Sequence, residues 1–202
     1  MTTVVVPFAG TMGKTRLHVS ARARRALSLA MLGDVLAACV AVGRTRVATP
    51  DPEGAQVARE AGAETVADPG GGQGAAVQAA LERVDPGAIL VVNADVPCLV
   101  PDDLRALLAA TPAGGVALVE ALDGTTNALR LPSAAAFAPL YGPDSAARFK
   151  EHAARLGLEA VSVAVPSLAE DVDTLDDLRR LQLRCGPRTQ AALADLPEEV
   201  AP

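Results

Sequence analysis

The chain has no tryptophan, one tyrosine and three phenylalanines among its 202 residues. A core this poor in aromatics must be filled by Ala, Val and Leu, which suits many closely packed helices and strands rather than a small aromatic-rich barrel. Lysine is scarce too, occurring only as Lys14 and Lys150, whereas arginine is common. The formal net charge of −6 excludes a broad nucleic-acid-binding face, because phosphate contacts need clustered Lys and Arg. A local basic pocket for one phosphorylated small molecule is compatible with that balance. Cys39, Cys98 and Cys185 are too few and too scattered for a disulfide framework or a zinc knuckle, and read as small apolar core residues of a reducing compartment. His18 and His152 have no Cys or second His at ligand spacing. The longest apolar run, residues 26–42, is interrupted by Asp34 and preceded by Arg22, Arg24 and Arg25, so it reads as a helix of a folded domain and not a membrane span. Val4-Val5-Val6 is broken at once by Pro7, which does not fit a secretory leader. The expectation is a cytoplasmic protein.

What is present is an alternation of strand and helix patterns. Val4–Val6 predicts a first strand, and residues 20–42 a long helix in which Leu27, Met31, Leu32, Val35 and Leu36 recur at helical spacing, closed by Gly43. Residues 46–49 and 64–67 predict two further strands around a short helix over 53–61. A glycine-rich loop, 68–74, leads into a helix over 75–84 and then the apolar run 88–97, which reads as a strand buried on both faces. Beyond it come a helix over 102–110, strands over 115–121 and 127–131 joined by the Asp123-Gly124 turn as a hairpin, a helix over 145–156, a strand over 159–165 and a helix over 174–184. Residues after Pro187 are expected to form a tail. Successive βαβ units imply a mostly parallel sheet with an antiparallel addition, in one domain spanning residues 1–202.

Asp95 sits at the carboxyl end of the 88–97 run, where open α/β sheets place their chemistry. A carboxylate there needs a cation, a donor network or solvent, because desolvating it alone is costly. Around it, four further constellations stand out. The first loop, Pro7 to Arg16, has small residues Gly10 and Gly13 that let backbone N–H groups approach an anion, with Lys14 and Arg16 to neutralise it. Gly13-Lys14-Thr15 is not a P-loop, since that motif needs glycine where Phe8 stands. The second cluster, Gly70-Gly71-Gly72-Gln73-Gly74, could let a nucleotide lie against the backbone, or serve as a flexible connection, but it is not the dinucleotide fingerprint. In Asp171-Val172-Asp173-Thr174, extended geometry puts both carboxylates on one side, where they repel unless a cation sits near them; Asp173 or Thr174 also suits the N-cap of the last helix. In Tyr141-Gly142-Pro143-Asp144-Ser145, Asp144 or Ser145 is expected to cap the following helix, with Arg148 one turn in.

Taken in order, these elements resemble the small guanylyltransferases of deazaflavin coenzyme biosynthesis, which act on phosphoenolpyruvate or 2-phospho-L-lactate. The resemblance rests on Lys14-Thr15-Arg16-Leu17, residues 30–36 (AMLGDVL), Ala94-Asp95-Val96-Pro97, Thr126-Asn127-Ala128-Leu129, residues 141–145, residues 171–174 and Gly186-Pro187-Arg188-Thr189. It implies the three-layer α/β/α sandwich of the nucleotide-diphospho-sugar transferase type, shared with the molybdenum cofactor guanylyltransferase. It also implies Mg²⁺ ligated by Asp95 and Asp171, with Asp173 an additional ligand, and GTP as donor. By the same resemblance Thr126, Gly142 and Ser145 would hold the phosphorylated acid, and Lys14 and Arg16 would serve the triphosphate beside Gly10, Gly13, Gly72 and Gly74.

The chain departs from that family's pattern at Ala9, where a Lys is usual, at Gly72-Gln73-Gly74 in place of Gly-Leu-Asn, and at Asp123-Gly124-Thr125-Thr126 in place of Gly-Thr-Gly-Thr. Phosphoenolpyruvate is the expected acceptor; 2-phospho-L-lactate, 3-phosphoglycerate and a non-catalytic nucleotide-binding regulator are the alternatives.

Overall fold

β-Branched runs with no internal proline or glycine build the centre of the molecule. In the computed structural model, which describes residues 2–10 and 17–196, the chain runs β1 (Thr2–Pro7), α1 (Ala21–Val40), β2 (Arg44–Thr49), α2 (Pro52–Glu60), β3 (Glu64–Ala67), α3 (Gln73–Leu81) and β4 (Ala88–Val92). It continues through α4 (Pro101–Ala110), β5 (Val116–Glu120), β6 (Thr126–Leu131), α5 (Ser145–Arg155), β7 (Ala160–Ser162), α6 (Pro166–Ala169), α7 (Leu175–Leu181) and α8 (Pro187–Ala194). The strands form one seven-stranded sheet in the order β3-β2-β1-β4-β6-β5-β7. β1 pairs in parallel with β2 and β4, β2 with β3, and β5 with β7, while β6 runs antiparallel to both β4 and β5. The expected hairpin of β5 and β6 is therefore the antiparallel addition to the sheet.

Strand alternation sorts side chains into two apolar layers. Val4, Val6, Leu90 and Val92 pack with Leu32, Val35 and Leu36 of α1 and Leu104 and Leu107 of α4 on one face. Val5, Ile89 and Val91 pack with Ala76, Val77 and Ala80 of α3 and Ala146, Phe149 and Ala153 of α5 on the other. The small alanines let the helices lie close to the sheet, which is how a core poor in aromatics reaches full density. A third cluster joins Leu27 and Met31 of α1 to Leu178, Leu181, Leu193, Cys98 and Cys185. All three cysteines are buried thiols, as their apolar reading predicts.

Four expectations change. β4 ends at Val92, so Asp95 lies in the turn beyond the strand, and β7 is limited to Ala160–Ser162. Asp144 occupies the N-cap position of α5 but with φ of 55°, a left-handed conformation in which its side chain makes no capping bond. The segment after Pro187 is α8, packed against α1. Its N-terminus is held by a residue far off in sequence: Asp34, buried in the middle of α1, accepts hydrogen bonds from the backbone N–H of Arg188 (3.1 Å) and Thr189 (2.8 Å). The carboxylate that interrupts the apolar run of α1 is thus the cap of another helix, satisfying donors that no turn of α8 can reach.

Candidate active site

β1 leads to β2 on one side and β4 lies on the other, so the chain order reverses between β1 and β4. Such a switch point opens a crevice outside the carboxyl ends of the two strands. A cavity of about 380 Å³ occupies it, lined by the loop after β1, the turn after β4, the start of α3 and Asp173. Gly10 stands on its wall with φ of +82°, and a Cβ there would meet the Asp51 carboxylate at 3.1 Å. Gly70, Gly71 and Gly72 all hold positive φ, which lets the loop turn sharply into α3, whose first turn lines the cavity.

Asp95, Asp171 and Asp173 converge beside this cavity: all three are half-buried, and one ligand oxygen from each lies within 4.8 Å of the others. Their backbones are pinned together, since the N–H of Val172 donates to the carbonyl of Asp95 at 2.9 Å. The N–H of Gly186, at the start of α8, donates to the carbonyl of Pro97 at 2.8 Å and steadies the same turn. In the other segment of the cluster, Thr174 caps α7 and exchanges side-chain and backbone bonds with Asp177, so Asp173 is fixed at the entry to the helix. Burial and the nearby charge of Asp95 push the Asp171 carboxyl above its ordinary range, against the lowering effect of the Asn127 amide, which donates to Asp171 Oδ1 at 3.3 Å. Three hard oxygen donors crowded together at a cost in repulsion suit a small divalent cation such as Mg²⁺.

A second groove, of about 590 Å³, lies beside the first and shares Gly72 and Gln73 with it; its walls include Gly74, Pro139, Tyr141 and Gly142. Gly142 holds φ of +111°, and Arg148 from the first turn of α5 donates to the Tyr141 carbonyl at 3.1 Å. Ser145 and Thr126 are buried, with the Ser145 hydroxyl donating to Thr126 Oγ1 at 3.1 Å. The N-terminus of α5, the buried pair of Ser145 with Thr126 at the start of β6, and the Arg148 guanidinium thus lie close together, a set suited to an anion. Gly74 serves packing here: an added Cβ would lie 2.6 Å from Pro139 Cβ.

The structure thus gathers Asp95, Asp171, Asp173, Gly10 and Gly72 at the crevice, and Gly142 and Gly74 at the adjoining groove, with Thr126 bonded to Ser145. Gly13, Lys14 and Arg16 lie outside the described residues. Sequence reasoning gave no role to Gln73, Asn93 or Asn127, which line or support the site; Asn127 stood within the Thr126–Leu129 motif, and each Asn directly follows an apolar or buried strand position, Val92 or Thr126.

Comparison with known proteins converges on one group. A family model for the MobA-like NTP transferase domain matches residues 27–185. The phosphoenolpyruvate guanylyltransferase of Roseiflexus castenholzii is 41% identical over 179 residues, covering 87% of this chain and 84% of the relative. That of Streptomyces scabiei is 38% identical over 214 residues, covering 96% of each. Among solved structures, a candidate nucleotide-diphospho-sugar transferase from Desulfovibrio desulfuricans G20 superposes with a TM-score of 0.76 at 17% identity, over 96% of this chain and 94% of that one, which speaks to the fold alone. Among the described residues no helix is long and apolar enough to cross a membrane.

Proposed function

The chain belongs to the MobA-like NTP transferase family and is a nucleotidyltransferase, and on that premise we propose that it joins GMP from GTP to phosphoenolpyruvate, releasing pyrophosphate, in deazaflavin coenzyme biosynthesis. The observation that carries the reading is the convergence of curated relatives named phosphoenolpyruvate guanylyltransferase, at 33–41% identity over most of the chain, on a molecule whose carboxylate cluster lines the first of two adjoining cavities.

The switch-point cavity takes GTP, with its phosphates along the loop after β1 and the N-terminus of α3. Lys14 and Arg16 belong to that loop and supply positive charge. The adjoining groove takes the phospho-acid. Thr126 and Ser145 hydroxyls, the Gly142 backbone and the Arg148 guanidinium receive its carboxylate and phosphate. A phosphate oxygen of the acceptor attacks the α-phosphorus of GTP, the new P–O–P bond forms, and the bond to the departing pyrophosphate breaks. No general base is needed, since the attacking phosphate is already ionised at neutral pH. The work of the protein is in-line positioning and neutralisation of negative charge. Asp95, Asp171 and Asp173 would hold Mg²⁺, which supplies that neutralisation at the transferring phosphoryl group.

Incubation with GTP, Mg²⁺ and, separately, phosphoenolpyruvate, 2-phospho-L-lactate and 3-phosphoglycerate tests the proposal through pyrophosphate release. Release is expected with phosphoenolpyruvate. Tight GTP binding with no release in any of the three would replace the proposal by a nucleotide-binding regulator.

A further inference from the structure

Behind the carboxylate cluster runs an unbroken file of primary amides. Gln73 Nε2 donates to Asn93 Oδ1 at 2.6 Å, Asn93 Nδ2 donates to Asn127 Oδ1 at 3.0 Å, and Asn127 Nδ2 donates to Asp171 Oδ1 at 3.3 Å. The file crosses four separate parts of the fold: the first turn of α3, the turn after β4, the start of β6 and the segment before α7. Two backbone contacts brace it, from the N–H of Asn93 to the Asn127 carbonyl at 2.9 Å and from Asn93 Nδ2 to the Thr126 carbonyl at 3.4 Å.

The direction of every bond in the file is dictated by its far end. An ionised carboxylate can only accept, so Asn127 must turn its NH₂ to Asp171 and its oxygen to Asn93. Asn93 must then turn its NH₂ to Asn127 and its oxygen to Gln73, which in turn must donate. Gln73 is, with Gly72, common to the walls of both cavities, and it directly follows the three left-handed glycines. We propose that Gln73, Asn93 and Asn127 form a polarity relay that aims Asp171, making the glycine-rich loop a determinant of how well the carboxylate cluster binds a divalent cation. These are positioning residues. The inference rests on the assignment of Asp171 as a metal ligand in the reading above.

The relay makes a prediction that side-chain size does not. Gln73→Glu keeps the shape but replaces the terminal donor by an acceptor. Asn93 must then turn its NH₂ toward the new carboxylate, and the reversal propagates until the Asn127 oxygen faces Asp171, acceptor against acceptor. Gln73→Met removes the donor without imposing a reversal. Binding of Mn²⁺ to the protein alone, followed by the loss of the free-ion signal in electron paramagnetic resonance, separates the possibilities without recourse to turnover. Removing partners that orient metal ligands weakens metal affinity by roughly 10–100-fold. The relay therefore predicts at least tenfold weaker Mn²⁺ binding in Gln73→Glu and a smaller, several-fold loss in Gln73→Met.

A Gln73→Glu protein that binds Mn²⁺ as well as the wild type, or more tightly because of its added negative charge, would overturn the relay, as would a larger loss in Gln73→Met. Unfolding midpoints in urea report whether each variant is folded. If Gln73→Glu does not fold, Gln73→Met decides alone: a several-fold loss supports the relay and an unchanged affinity refutes it. A wild-type protein that binds Mn²⁺ yet releases no pyrophosphate with any phospho-acid removes the proposed reaction and leaves the relay standing.

Discussion

Replacing Asp34 by Ala tests whether a carboxylate in the middle of α1 is the cap of α8. Two backbone N–H groups lose their acceptor, those of Arg188 at 3.1 Å and Thr189 at 2.8 Å. Thr189 is buried, so its N–H is left without water; Arg188 is exposed and its N–H can be rehydrated. Stranding one buried donor costs about 1–3 kcal/mol, and losing a charged acceptor at a helix N-terminus about 1 kcal/mol more. Relief of the buried carboxylate's desolvation offsets part of this, leaving about 2–3 kcal/mol of net destabilisation. Asp34→Asn keeps an oxygen for one of the two donors and should lose about half as much. For a chain of this length each kcal/mol lowers the Tm by roughly 2–4 °C, so Asp34→Ala should melt about 4–12 °C below the wild type. Urea unfolding gives the free energy directly, and hydrogen exchange should show the N–H of Thr189 losing protection first. An Asp34→Ala protein within about 0.5 kcal/mol of wild type would refute the capping role. Gly186→Ala probes the same contact from the other side, since its Cβ would fall 2.4 Å from the Asp34 carboxyl carbon.

Further expectations concern the cluster and its supports. Asp95→Asn and Asp171→Asn should each abolish turnover while retaining the native circular dichroism spectrum; near-normal Mg²⁺-dependent activity in either would disprove the ligand assignment. Because burial and Asp95 raise the pKa of Asp171, the metal-free fold binds more protons than the unfolded chain, so this carboxyl's stabilising contribution, complete below its unfolded pKa, is lost as pH rises through its folded pKa. Asp171→Asn should therefore be more stable than wild type in metal-free buffer at neutral pH, read from urea midpoints. Thr174→Ala should cost about 1 kcal/mol through loss of the α7 cap. Ser145→Ala should raise the KM for the phospho-acid more than the KM for GTP, measured in initial-rate assays.

Local pattern made much of this fold readable. The valine runs of β1 and β4, the helical recurrence of Leu27, Met31 and Val35, and the turn at Asp123-Gly124 are all signals between near neighbours. So is the alternation that puts Asp171 and Asp173 on one side. The capping of α7 by Thr174 is encoded within four residues. What was not readable depends on contacts between distant segments. The capping role of Asp34 was hidden behind its look as an interruption of an apolar helix, because its partners lie more than 150 residues downstream. For the same reason α8 read as a tail: its own sequence carries no side-chain cap. The amide file joins four segments through side-chain direction, which neither periodicity nor spacing expresses. Asp144 misled in the opposite way, having the composition of a cap but a left-handed backbone that turns its side chain away.

The proposed reaction transfers the GMP moiety of GTP to a phosphorylated three-carbon acid at the Asp95–Asp171 crevice. The most direct measurement follows the fate of label in GTP carrying ³²P at either the α or the γ position, with phosphoenolpyruvate and Mg²⁺ present. Guanylyl transfer places α-label in a new compound containing the acceptor and γ-label in pyrophosphate. Label from the γ position in orthophosphate or in the acceptor, with none from the α position in a joined product, would contradict it.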